Sequence, residues 1–166
     1  MSLVVAVRAP GGWELRSDLG VYLGSTLYLG TPKVWAPHPG SGLGVVGSAA
    51  WCQLARDVAW PEEPTVDAWR AAQSRAVEDA GYEPVQGDVA VWVLGDRAYH
   101  VQGVESVDEV DQPFWAIGSG ADYVLGLLDW WTAQGPILAA AATAVEVAAR
   151  VTSEVRGVSP AVWVGP

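Results

Sequence analysis

The residue with the most chemical potential in this sequence is the second one. Ser2 follows the initiator Met, and removal of that Met is favoured when the next residue is small. Once freed, Ser2 carries a hydroxyl and an α-amine on the same residue. An α-amine titrates at about 7.7–8.0, so near neutral pH it is substantially available as a base. A serine nucleophile ordinarily relies on a separate histidine to take its proton; a terminal serine brings its own acceptor within one hydrogen-bond reach. The chemistry this allows is acyl transfer. The neighbouring residues fit the requirement for rigidity: Leu3-Val4-Val5-Ala6-Val7 is apolar and mostly β-branched, a core-grade strand beginning directly after the serine. Other reactive types are isolated. His38 and His100 are far apart and read as loop and strand positions rather than metal ligands. Cys52 falls in a helical pattern and reads as a small buried hydrophobe.

The elements that would hold such a terminus alternate in a simple order. Leu3–Arg8, the turn cluster "APGG" and Trp13–Arg16 form a hairpin, with Asp18 directly after it. "VYLGSTLYLGTPKVWAP" holds short strand-like pieces broken by glycines, and "GLGVVGSAA" is an apolar run bounded by glycine. A helix follows, capped by Ser48, with Ala50, Leu54, Ala55 and Val58 at helical spacing and Pro61 as its stop. Thr65 caps a second helix that Gly81 ends. "DVAVWVLGDRAYHVQG" is a hairpin turning at Gly95-Asp96, and "VESVDEVDQP" reads as a solvated acidic connector. "FWAIGSGADYVLGLLDWW" passes from strand through a Gly-Ser-Gly turn into a helix. The Ala-rich segment after it is a helix with Pro136 near its first position, and "SPAVWVGP" is a last strand. Strands, two helices, strands, two helices and a strand predict an α+β chain: one domain over 1–166, a four-layer αββα sandwich of two antiparallel sheets with a helix pair outside each.

Composition narrows the setting. The 166 residues are about half apolar with charges spread throughout, which suits a globular domain. A net charge of −10 argues against a phosphate-binding surface, so no nucleic-acid partner is expected. One cysteine excludes an internal disulfide framework; with no visible signal peptide, the expected location is the cytoplasm. No apolar run is long enough to span a membrane. Ten tryptophans are more than a core of this size ordinarily uses, and large aromatics also suit a subunit interface.

Taken in order, the motifs resemble those of the proteasome β-subunit family and its bacterial HslV-type relatives, which are N-terminal-nucleophile hydrolases. "SLVVAV" is similar to their mature start, with Ser2 in place of Thr; "ELRSDLG" places the acidic partner at Asp18; "LGSTLYLGTPKV" places the lysine at Lys33. "VVGSAAWCQL" resembles the strand-to-helix turn that carries the oxyanion-hole amide, here Gly47, and "AIGSGADY" the turn whose serine supports the nucleophile, here Ser119. The resemblance implies a peptidase without cofactor or metal, assembled into a homo-oligomeric ring, with unfolded polypeptide as substrate and an ATPase unfoldase as partner. Lys33 would favour the alkoxide-like state and depress the amine pKa, Asp18 would hold Lys33, and the Gly47 amide would face the oxyanion.

The pattern departs from the family in two places. The family ends its last long helix with Asp and then Ser-Gly; here "TSEVRGVSP" puts Ser153 at the network position and Arg156-Gly157 after it. Trp51 stands where many members carry an Asp, and would fill or reshape the substrate pocket. Two alternatives therefore stay open: a catalytically silent ring or scaffold subunit, and an amide hydrolase acting on a small molecule.

Overall fold

The computed structural model describes residues 2–165, save 24, 25, 31, 135–139 and 153. Met1, Pro136 and Ser153, each given a part by the sequence, lie outside the described residues. The described residues form a mixed α+β structure with antiparallel sheets and four helices.

The first sheet has the order β10-β1-β2-β11, from β1 (Leu3–Ala9), β2 (Gly12–Ser17), β10 (Phe114–Gly118) and β11 (Val162–Val164). The second has the order β5-β6-β7-β8-β9, from β5 (Val34–Trp35), β6 (Ser41–Val46), β7 (Val89–Leu94), β8 (Arg97–Gln102) and β9 (Ser106–Glu109). β3 (Gly20–Leu23) and β4 (Thr26–Leu29) make a separate hairpin. The helices are α1 (Ala49–Asp57), α2 (Val66–Asp79), α3 (Ala121–Gln134) and α4 (Ala140–Val151).

β1 explains its own composition. Successive strand residues point to opposite faces, and both faces of β1 are covered. Leu3, Val5 and Val7 pack with Val124 and Leu128 of α3 and with Ala141, Ala144, Val145 and Ala148 of α4. Val4 and Ala6 face the second sheet and meet Val34, Val46, Val91 and Val93. A third apolar layer lies on the far side of the second sheet, where Leu43, Val45, Ala90 and Trp92 pack against Trp51 and Ala55 of α1 and Trp69 and Val77 of α2. Trp60, Trp69 and Trp92 form an aromatic cluster there, with ring centroids 4.7–5.9 Å apart. The tryptophans thus divide: Trp13, Trp51, Trp69 and Trp92 are core, while Trp130 and Trp163 stand at the surface.

Three local expectations are corrected. "VESVDEVDQP" is not all connector: Ser106–Glu109 is the edge strand β9, paired to β8 with Val101 opposite Val107. Its acidic side chains read as loop because an edge strand places charge in solvent. Pro61 does not stop α1, which has already ended at Val58, in extended conformation at φ −62° and ψ 139°. The buried face of α1 is Trp51 and Ala55, whereas Ala50 is exposed. An alanine satisfies an apolar pattern without fixing which face is buried, and the indole of Trp51 has far more apolar area to bury. The caps agree with their sequence signals: the Ser48 and Thr65 hydroxyls accept from Trp51 N at 3.1 Å and Ala68 N at 3.2 Å.

Candidate functional site

β1 and β2 bring their ends together where β1 begins. The hairpin pairs Val4 with Ser17, and the next rung is Asp18 N donating to Leu3 O at 3.0 Å. This delivers the Asp18 side chain to the start of the chain. Its Oδ1 accepts from Leu3 N at 2.8 Å and from Lys33 Nζ at 2.8 Å; its Oδ2 accepts from Gly20 N at 3.0 Å. Asp18 is 0 % exposed and Lys33 9 %. Lys33 Nζ also donates to Gly20 O at 2.7 Å and to Asp18 O at 3.2 Å. An ammonium has three hydrogens, so these contacts account for all of them. A buried ammonium requires such pairing, because removing the charge from water costs several kcal/mol, on the order of the attraction that offsets it.

Ser2 is gripped from the other side. Ser119 N donates to Ser2 O at 2.7 Å. The peptide group joining Ser2 to Leu3 is therefore held at both ends, its carbonyl by the Ser119 amide and its N–H by the Asp18 carboxylate. Gly118 makes this approach feasible. Its φ is +93°, and a Cβ there would lie 1.9 Å from Ser2 O. Gly120, at φ +82°, completes the turn into α3. The structure thus brings Ser2, Asp18, Lys33 and Ser119 to one place, with the Ser119 contribution made by its backbone.

Gly47 lies at the exposed turn between β6 and α1, at φ +139°. The first turn of α1 is within the electrostatic reach of Lys33. Burial pushes the Cys52 thiol up to about 11, and the Lys33 ammonium is the largest influence acting the other way. Trp51 is fully buried beneath α1, in the apolar layer against the second sheet. Arg156 is also structural. Its guanidinium donates to the carbonyls of Thr152 and Val155 at 3.0 and 2.7 Å, closing the end of α4.

The sequence reading missed a pair of serines behind the lysine. Ser17 Oγ accepts from Lys33 N at 3.0 Å, while Ser17 N donates to Ser159 Oγ at 2.9 Å and Ser159 N to Ser17 O at 2.8 Å. Both are buried polar residues that lock the backbone carrying Lys33 to the C-terminal segment. Ser17 is adjacent to Asp18 in sequence, the one hint available; nothing in the sequence pairs it with Ser159.

No protein-family model matches the chain, and no curated protein matches its sequence. Its fold does match solved structures. BPH from Thiobacillus denitrificans in complex with epoxomicin shares 22 % identity over 99 % of this chain and 100 % of that one, with a TM-score of 0.77. A second structure of BPH from Thiobacillus denitrificans scores 0.75 at 22 % identity, over 99 % of both chains. The Anbu (Gly-1) mutant from Hyphomicrobium sp. strain MC1 scores 0.70 at 17 % identity, over 99 % of this chain and 87 % of that one. The fold is shared with BPH and Anbu. The assignment to the proteasome β-subunit and HslV family is corrected accordingly: these matches are to BPH and Anbu chains, and at such identities what they share with this chain is the fold. Among the described residues no helix is long and apolar enough to cross a membrane.

Proposed function

We propose that this chain is an N-terminal-nucleophile peptidase, a four-layer αββα hydrolase that uses Ser2 after loss of Met1. The observation that carries the reading is the clamped Ser2–Leu3 peptide group, whose N–H shares Asp18 Oδ1 with a buried lysine. In this mechanism the Ser2 α-amine takes the hydroxyl proton as Oγ bonds to the substrate carbonyl carbon. The Gly47 N–H receives the oxyanion. The amine then gives the proton to the leaving nitrogen, the C–N bond breaks, and a serine ester remains. Water, deprotonated by the same amine, releases the acid. The Lys33 cation lowers the amine pKa and favours the alkoxide-like state. Of its three N–H groups, the one held most loosely, at 3.2 Å from Asp18 O, is the one that turns to Ser2 Oγ.

Polypeptide is the proposed substrate, and a homo-oligomer, fed by an ATPase unfoldase, the proposed working form. Exposed Tyr123 and Trp130, seven residues apart on one face of α3, support self-association. A second reading, a silent ring or scaffold subunit, is favoured by the structural use of Arg156 at the position where catalytic polar residues were expected.

The test uses the compound found with BPH. Intact mass first establishes that Met1 is removed; incubation with epoxomicin then adds one inhibitor mass, mapped to Ser2 and absent in Ser2→Ala. Retention of Met1 in the native host, or a free Ser2 that takes no adduct, overturns the peptidase reading.

A further inference from the structure

The turn that carries Gly47 is closed by a ring of side chains that the mechanism above leaves unused. Asp88, at the entry to β7, is 0 % exposed, and among the described residues its carboxylate's hydrogen-bond partners are all uncharged donors. Its Oδ1 accepts from Ser48 N at 2.8 Å. Its Oδ2 accepts from Tyr82 Oη at 2.5 Å and Val85 N at 3.0 Å. Ser48 Oγ and Tyr82 Oη are 2.6 Å apart. The Tyr82 proton points to the carboxylate, so in this contact Ser48 is the donor and Tyr82 the acceptor. Ser48 Oγ in turn accepts from Trp51 N. Burial, followed by the bond to Asp88, pushes the Tyr82 phenol up from its ordinary range, which keeps that proton in place. Ser48, Tyr82 and Asp88 thus form a closed circuit with a defined proton direction.

Each member is delivered by a different element. Ser48 is the cap of α1. Tyr82 arrives through the reversal that ends α2, where Gly81 sits at φ +59°, Gly81 N donates to Glu78 O and Tyr82 N to Val77 O. Asp88 precedes the β7 residue Val89, which pairs with Val46. Gly47 is seated against this circuit: a Cβ at residue 47 would lie 2.3 Å from Asp88 Oδ1 and 2.9 Å from Asp88 Cα. The backbone at Gly47 is therefore pinned on both sides, by the β6–β7 ladder before it and by the Asp88–Ser48 bond after it. Asp88 occupies the Ser48 amide, so that amide is not open to an oxyanion.

We propose that Asp88, braced by Tyr82 and Ser48, is a positioning residue that holds the Gly47 amide in the geometry an oxyanion requires. The proposal rests on the peptidase reading of Ser2, and it assigns to the strand-to-helix turn a carboxylate that touches neither nucleophile nor substrate. A carboxylate at the start of α1 also complements the helix dipole, so the same charge that aims the amide stabilises the helix behind it. An oxyanion donor displaced by a fraction of an ångström loses most of its effect on the transition state while leaving ground-state binding nearly unchanged.

The experiment compares Tyr82→Phe and Asp88→Asn with the parent enzyme on a fluorogenic peptide, together with amide hydrogen exchange over residues 47–51. Tyr82→Phe should lower kcat by about tenfold and Asp88→Asn by about a hundredfold, with KM changed less than about threefold. Exchange at 47–51 should quicken by about tenfold or more in Tyr82→Phe, with the amides of α3 unchanged. A kcat equal to that of the parent in both variants, with only the melting temperature lowered, overturns the proposal. A parent enzyme that neither turns over peptide nor takes epoxomicin at a free Ser2 overturns the peptidase reading; in that case exchange at 47–51 unaffected by Tyr82→Phe overturns the bracing role as well.

Discussion

Asp18 and Lys33 meet at 2.8 Å between Oδ1 and Nζ, in a place where the carboxylate side chain has no exposure and the lysine side chain has 10 %. The same carboxylate oxygen holds the Leu3 amide. Position of the chain's start and position of the buried cation are thus set by one atom, so neither can shift without the other.

That sharing predicts strong coupling between the two side chains. Asp18→Asn leaves Lys33 buried without its counter-charge and should cost about 3–5 kcal/mol of stability. Lys33→Met leaves Asp18 with two amide donors, from Leu3 and Gly20, and should cost less. The double variant should lose less than the sum of the singles by about 1 kcal/mol or more. Urea denaturation of the four proteins checks this; simple additivity would mean that the pair does not act as a unit.

The grip on Ser2 predicts opposite outcomes at two glycines. Gly118→Ala places a Cβ 1.9 Å from Ser2 O at a φ of +93°. It should cost about 2–4 kcal/mol and abolish adduct formation at Ser2. Gly126→Ala, on α3 with nothing within 4 Å of its Cβ, should stabilise by up to about 1 kcal/mol. Thermal melts and the epoxomicin adduct report both. Parent-like stability in Gly118→Ala would contradict the close approach.

His100 predicts a pH dependence. Its ring sits 5.5 Å from Trp115, between the sheets, and burial lowers its pKa, with Asp108 opposing. A histidine whose folded pKa is depressed takes up its proton in the unfolded chain first. Stability should therefore be level above about pH 7 and fall as pH drops below about 6.5 towards the folded value. Chemical denaturation from pH 5 to 8 should show this slope, and His100→Gln should flatten it. An unchanged slope in the variant would place the proton uptake elsewhere.

Cys52 should resist alkylation. With its thiol raised to about 11 by burial, only about one molecule in a thousand carries thiolate at pH 8. Iodoacetamide should label the native protein at least about tenfold more slowly than the urea-unfolded chain, as followed by mass. Equal rates would show the thiol to be open.

Some of this was legible from sequence because it is local. An apolar run of β-branched residues commits Leu3–Ala9 to a strand buried on both faces; Ser48, Thr65 and Gly81 mark helix ends through bonds to backbone within a few residues. Asp18 and Lys33 were singled out through the resemblance of their motifs to a known family, and Asp18 lies one rung past the β1–β2 hairpin, a local consequence of its register. The edge strand β9 was lost because its charged residues look the same paired or unpaired. The inward turn of Trp51 was lost because helix periodicity alone does not choose among several apolar faces. Ser159 behind Ser17, and Asp88 beneath Gly47, were beyond reach for a different reason. Each joins segments tens of residues apart, and a buried serine or aspartate has the same letter as an exposed one. Sequence determined which residues could react and which strands would carry them. Tertiary structure decided which polar groups lost their water and had to find one another, because desolvation is a property of the packed chain and of no segment within it.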